Sequence, residues 1–449
     1  MSSLRRISAT IAALCFALFA LFGVAQERKD SSVPDVPMQQ WLAGPDHSDF
    51  PSEFRVLPPR LTYQQRNLIE CRIAISGEIA RGRELHFWIK VADNSGAWLP
   101  GTVHTTSNAS PTLTKHNEVQ VVSGFYANPG QYTVALIIYD PKSRQYDIRR
   151  LPLTVKPIEN DPLAARVESA TPSVDFLRDS PPNGTAFQNI SDRNNGNSDP
   201  LWPFARRFDT YPLNSTRPLQ IDVVLNLSDV GEVVEFPTAR PPAQLRIGRE
   251  PRILRPPEPQ NAQGHQKEYI GALFSVAQVL ASIQPANGCV RINAIDMMDM
   301  NAPMRRVDPK KIDWEKFRTY RTTEKLAEIN VKALTNRKEQ PTFLRDFLAG
   351  LQTPIEQCGT GDGPPMHAII FVSRSYIFPS GAHKESFHFP DSSSFRAYHY
   401  QLNFEVRNGY DDLGSYLKSA GAKSHDIVQP KDLRSLLAHT LDEITRPAK

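Results

Sequence analysis

The stretch from residue 158 to 218 constrains this chain most. It holds eight prolines and seven asparagines, with runs such as SPPNGT and DRNNGNSDP. Such a segment buries too little apolar area to offset the entropy of ordering it. It reads as a linker with partial order at best, so the 449-residue chain must fold as separate units on either side of it. Both flanks are long enough to bury a core.

Residues 55–157 carry the alternating runs LIECRIAISG, RELHFWIKVAD, EVQVVSGFYA, QYTVALIIYD and YDIRRLPLTV. Turn signals at Asp93–Gly96, Asn128–Gly130 and Asp140–Lys142 separate several of them, at the spacing of a β-sandwich. The last two runs, joined by DPKSRQ, predict the closing hairpin of an immunoglobulin-like module. Cys71 is its one cysteine, so the inter-sheet disulfide of antibody domains is not expected.

The first 25 residues combine Arg5 and Arg6 with an apolar run from Ile7 to Val24 and the small-residue ending Gly23-Val24-Ala25. That pattern predicts a cleaved secretory signal, with an uncleaved anchor as the alternative, followed by an extension over 26–54. No later stretch reaches membrane length, so the mature chain is expected to be secreted or periplasmic, with no membrane contact beyond the signal. The net charge of +4 includes the two leader arginines, so no field for nucleic acid follows. Cys71, Cys289 and Cys358 would then sit in an oxidising compartment, and an odd count leaves one unpaired within the chain. Cys289 and Cys358 each precede an apolar strand in one unit and are the pair to expect, although spacing alone does not fix connectivity.

Beyond Leu219 the pattern changes. LQIDVVLNL is followed by a Pro-rich segment, the helix-like KEYIGALFSVAQVLASI, the strand VRINAIDMM, a charged helical stretch around TTEKLAEINVKAL, the helix PTFLRDFLAGL, and the strands HAIIFVS and AYHYQLNFEV. Two helices with HDIV between them close the chain. Strands alternating with helices, several of them continuously apolar, predict a parallel sheet covered on both faces. The fold expected is therefore multidomain: an N-terminal all-β immunoglobulin-like sandwich and, over 219–449, a doubly wound α/β (Rossmann-like) domain.

This second half resembles a von Willebrand factor A domain of the secreted bacterial kind. The resemblance rests on the ending LKSAGAKSHDIVQPKDLRSLLAHTLDEI, on QPTFLRDFLAGL as a helix start, and on HAIIFVS as the strand that in the family ends in Thr-Asp-Gly. It implies a metal site at the C-terminal edge of the sheet. Carried over, Asn226 stands for the first Asp, Ser228 and Val230 for the two serines, Thr342 for the threonine and Ser373 for the last Asp. Neither position that keeps its type is a carboxylate, and hard cations are held mainly by charged oxygen. The resemblance thus implies a degenerate site: no cofactor, with only weak Mg²⁺ or Ca²⁺ binding left open.

Three acids stand near these positions: Asp229, Asp296 and Asp299. Their spacing fits no calcium loop, and a solvated loop is the expectation for them. Arg374, beside Ser373, is either an ordinary surface arginine or a fixed cation that takes a partner's carboxylate directly. Residues 237–259 hold five arginines against two glutamates among many prolines, either as a solvated insertion or as an extended docking arm.

Other chemistry is not indicated. There is no Gly-x-Ser-x-Gly, and GTGDGPP at 359–365 precedes a strand instead of opening a helix. His367, His383, His388 and His399 match no zinc spacing and are expected in exposed loops. The chain reads as an exported, non-enzymatic protein- or surface-binding protein. A structural envelope scaffold and a hydrolase with an unrecognised site are the alternatives.

Overall fold

The computed structural model describes residues 33–168, 172–176, 208–228, 260–314, 336–353, 355, 358–359, 365–379, 381–382, 385–403 and 411–446. The expected leader at 1–25, Asp229, Val230, the insertion at 237–259 and His383 lie outside the described residues. No described helix is long and apolar enough to cross a membrane.

The first half is built from β1 (His47–Ser48), β2 (Ser52–Val56), β3 (Arg60–Leu61), β4 (Asn67–Ser76), β5 (Glu84–Ala92), β6 (Val103–Asn108), β7 (Glu118–Ala127), β8 (Gly130–Asp140), β9 (Gln145–Val155) and β10 (Val174–Phe176). All pair antiparallel, in one sheet of order β1-β9-β8-β5-β6 and another of order β10-β7-β4-β2, with β3 beside β4. Alternation makes this possible: Ile69, Cys71, Ile73 and Ile75 of β4 face the same core as Leu85, Phe87 and Ile89 of β5 and Val134, Leu136 and Ile138 of β8. In β8 the residues between them, Ala135 and Ile137, are buried as well, because helix α1 (Met38–Ala43) sets Trp41 and Leu42 against the outer face together with Trp88 and Ile148. That second cover explains the unbroken apolar run VALII. Where β7 crosses β4, a Cβ on Gly124 would stand 2.1 Å from the Ile69 carbonyl oxygen, so the position admits only glycine.

The second half contains β11 (Tyr211–Leu213), β12 (Leu219–Asn226), helix α3 (Gln260–Ala281), β13 (Ile283–Pro285), β14 (Gly288–Asp296), β15 (Asn301–Val307), helix α4 (Gln340–Leu351), β16 (Met366–Ser373), β17 (Phe395–Leu402), helix α5 (Asp412–Ser419), β18 (Lys423–Ile427) and helix α6 (Pro430–Thr445). A short helix α2 (Gly77–Ala80) lies in the first half. The main sheet runs β15-β14-β12-β16-β17-β18. Odd residues of β12 face α3 and α6 with Leu273, Leu437 and Leu441, and even residues face α4 and α5, so all eight are buried. Helix α6 starts on a capping box in which Gln429 and Asp432 satisfy each other's backbone amides, with Pro430 in its first turn.

The expected fold class is corrected here. Strand outweighs helix across the described residues, the first-half sheets are antiparallel, and the second-half sheet is mixed, so the chain is mostly β-sheet and shows no clear Rossmann-like domain of the von Willebrand factor A type. The cause is local. Only Met297–Met300 separate β14 from β15, and Met300 turns in the left-handed region at φ 46°. A connection that short cannot hold a crossover, so β15 must return antiparallel.

The stretch between the halves is also more engaged than its composition implies. Val174–Phe176 pair with β7, Tyr211–Leu213 pair with β13, and Leu163 is buried in the core of the second half. Its scattered apolar residues act as anchors between prolines. The two halves meet through the β3–β4 turn, where Gln64 Nε2 donates to Gln278 Oε1 (2.9 Å) and Gln65 Nε2 to the Pro430 carbonyl (3.0 Å). Arg434 of α6 donates from Nε and Nη2 to the two carboxylate oxygens of Asp161, each at 2.5 Å.

Candidate functional site: the sheet's C-terminal edge and the polar face beneath it

Strands β12 and β16 end side by side, in a register that pairs Leu225 with Val372. Their last residues, Asn226 and Ser373, are both fully buried. Asn226 Oδ1 accepts from the Ser228 backbone N–H (3.1 Å), the side-chain turn that bends the chain at its Asn-x-Ser corner. The Asn226 carbonyl accepts from Tyr269 OH of α3 (2.7 Å), and its Nδ2 is buried without a partner. Ser228 Oγ donates to Asp296 Oδ1 (3.2 Å) and accepts from the Met297 N–H. Asp296 ends β14, and its Oδ1 also accepts from the N–H groups of Met298 (3.0 Å) and Asp299 (3.3 Å). The expectation of a solvated Asp296 is corrected: it is 2 % exposed and builds the turn into β15. Asp299 follows in that turn, partly buried.

Ser373 Oγ lies 2.9 Å from His399 Nε2, and His399 Nδ1 lies 3.2 Å from Ser424 Oγ. Burial, aided by nearby His425, pushes His399 down to about 4, so its ring is neutral and holds one donor and one acceptor for these two hydroxyls. Beside it Asp411, pushed up by burial, accepts from the Tyr376 N–H (3.0 Å). Thr342 sits partly exposed in the first turn of α4, next to Gln340, whose Oε1 accepts from Tyr376 OH (3.0 Å). Arg374 is no loose surface side chain: its guanidinium stands over the Tyr269 ring, 4.9 Å from the centroid.

The structure thus brings Asn226, Ser228, Ser373 and Arg374 together at one edge. At that edge Asn226 turns a buried N–H₂ inward, and both serine hydroxyls are committed to internal bonds. Among the described residues no group of three or more His, Cys, Asp and Glu side chains is arranged to hold a metal ion. Ser373 and His399 have the distance of a nucleophile and base, yet both are fully buried and a hydroxyl, not a carboxylate, stands behind the ring.

The same face carries a second polar group that the sequence reading missed. Asp222, fully buried in β12, accepts from His367 Nε2 of β16 (2.9 Å), Gln220 Nε2 (2.6 Å) and Asn293 Nδ2 of β14 (3.1 Å). Arg306 Nε stands 3.6 Å away. Burial opposes ionisation of Asp222, but the His367 and Gln220 hydrogen bonds and the Arg306 charge outweigh it and hold the carboxyl below its usual range. His367 and His399 are therefore buried strand residues, correcting the expectation of exposed loops, while His388 is exposed. The signal was present in LQID and HAIIF: a polar residue in a strand covered on both faces must have a partner.

Cys289, at the start of β14, and Cys358, after α4, are joined in a disulfide with Cα atoms 5.3 Å apart, and Cys71 is a buried free thiol.

No family model matches the chain, and no curated protein matches it. Solved structures that it is weakly similar to include a Bacteroides uniformis beta-glucuronidase, at 9% identity and a TM-score of 0.17 over 72% of this chain and 33% of that one. A calcium-binding mutant of Bacteroides uniformis beta-glucuronidase 2 scores alike, at 9% identity and a TM-score of 0.17 over 72% of this chain and 34% of that one. The chain spans about a third of the length of these structures. Likeness of that degree carries no argument about fold or activity.

Proposed function

We propose that this is an exported, non-enzymatic protein- or surface-binding protein whose sheet edge around Asn226, Ser373 and Arg374 works without a metal ion. One observation carries the reading: the oxygens of Ser228 and Ser373, which a hard cation would need, are spent on Asp296, Met297 and His399 inside the protein. The Cys289–Cys358 bond supports residence in an oxidising compartment. Arg374, whose guanidinium lies over the Tyr269 ring, is the residue this reading assigns to a carboxylate of the partner protein or surface.

The test is affinity capture from the source cell's envelope, with wild type and Arg374→Ala run in parallel, each with and without EDTA. The reading expects a partner that EDTA leaves in place and Arg374→Ala removes. A partner retained by the variant, or released by EDTA, overturns it.

A further inference from the structure

We propose that Arg217, Arg396 and the Ser392–Phe395 turn form a binding site for a tetrahedral oxyanion, a phosphate or sulfate group, at the N-terminal edge of the main sheet. This is the edge opposite Asn226 and Ser373. Arg217 stands two residues before β12, and Arg396 is the second residue of β17. The strand entrances around them are tied together, because the Pro218 carbonyl accepts from the Met366 N–H and the Ser394 carbonyl from the His367 N–H, each at 2.8 Å. The turn itself is closed by the Phe395 N–H donating to the Ser392 carbonyl (3.2 Å). Arg217 Nη2 donates to the Ser393 carbonyl (3.5 Å) and to Met366 Sδ (3.2 Å). Arg396 Nη1 donates to the carbonyls of Ser392 (3.0 Å) and Phe395 (2.7 Å). Both guanidinium groups are thereby anchored on one turn.

Neither arginine has an acidic partner among the described residues, and exposed Asp391, just before the turn, pairs with neither. Burial pushes Arg217 down, and the one charge that adds to this effect is the like charge of Arg396. Two cations held beside each other repel, and a shared anion converts that repulsion into attraction. The remaining side-chain donors, Nε and Nη1 of Arg217 and Nε and Nη2 of Arg396, bond to no described residue and are not buried. They are open to a ligand from solvent.

The turn supplies a third set of donors. The backbone N–H groups of Ser393 and Ser394 and the Ser393 hydroxyl make no bond among the described residues, while the Ser392 and Ser394 hydroxyls lie 3.1 Å apart. Successive N–H groups in a turn are a recurring anion-binding element. Two guanidinium forks and a serine turn make three donor groups. A carboxylate has only two oxygens to offer them, whereas a phosphate or sulfate group has one for each.

Calorimetric titration of the full chain with inorganic phosphate, in chloride buffer of constant ionic strength, tests this. Saturable binding is expected, with sulfate binding too and acetate much more weakly. Arg217→Gln and Arg396→Gln are each expected to weaken phosphate about tenfold or more, the loss of a charge-assisted hydrogen bond. Arg345→Gln, which removes an arginine already paired with Asp346 and Glu385, is expected to bind as wild type does. Thermal unfolding gives a second reading: phosphate should raise the melting temperature of wild type and Arg345→Gln, and not of the other two variants. Glycerol 3-phosphate separates the sources, since equal affinity assigns a group carried on a larger molecule and weaker affinity the free ion. Wild-type heats no different from those of added chloride overturn the site. Phosphate affinity unchanged in both Arg217→Gln and Arg396→Gln, or acetate binding as tightly as phosphate, overturns it as well.

Discussion

Replacing Asp222 by asparagine tests how the second half tolerates a charge at its centre. The carboxylate is fully buried, receives bonds from His367, Gln220 and Asn293, and faces Arg306. Asparagine keeps the shape and one acceptor, but its N–H₂ then meets the donors of Gln220 and His367. His367 can adapt only by moving its proton to Nδ1, which is buried and has no partner. Removing one member of a buried pair costs about 3–5 kcal/mol. The retained acceptor bond puts Asp222→Asn near the lower end, about 3 kcal/mol, or roughly a hundredfold in the folding equilibrium. Urea unfolding at pH 7 reads this as a lower midpoint at unchanged slope. The pH dependence has a fixed sign. Because the folded state holds Asp222 below its usual range, its contribution is complete above about pH 4, the ordinary carboxylate value, and is lost as pH falls further. The variant must therefore lose less stability than wild type between about pH 4 and 2. A cost under about 0.5 kcal/mol, or parallel acid profiles, would refute the assignment of Asp222 as an ionised, paired group.

Three further outcomes follow from particular contacts. His399 is expected to titrate near 4 by NMR, and stability to fall by roughly 3 kcal/mol as pH drops from about 6.5 to 4, since the unfolded chain takes a proton the native one refuses; an ordinary histidine midpoint sinks the claim of burial. Gly124→Ala forces a methyl onto the Ile69 carbonyl oxygen, so thermal unfolding of the first half should shift down by the equivalent of about 3 kcal/mol, and an unchanged melting temperature contradicts the close β4–β7 approach. Arg434→Ala leaves Asp161 without its bidentate partner, and protease is expected to cut between the halves faster while each half's far-UV signal persists; equal cutting rates would show that the pair does not join them.

Local pattern carried much of this fold. DPKSRQ marked the β8–β9 turn, and Arg144 indeed takes a left-handed φ of 59° there. All eight residues of β12 are buried, Gln220, Asp222 and Asn226 among them. What stayed hidden depends on contacts distant in sequence. The direction of β15 follows from a four-residue connection read only once β14 and β15 are both bounded. The burial of Asp296 depends on Ser228, 68 positions earlier, and the engagement of the 158–218 stretch depends on Leu163, Val174 and Tyr211 finding three different neighbours. At the candidate edge the sequence pointed to Asn226, Ser228 and Ser373, but not to the Tyr269 bond to the Asn226 carbonyl or the His399 contact with Ser373. The Asp222–His367 pair was passed over because each residue, taken singly, looks like an interruption in an apolar strand.

The claim that the sheet edge binds without metal meets its most direct test in calorimetric titration of Mg²⁺ and Ca²⁺ into the full chain. Committed hydroxyls at Ser228 and Ser373 predict no saturable heat up to millimolar cation. Stoichiometric binding that Asn226→Ala or Thr342→Ala abolishes would contradict the account.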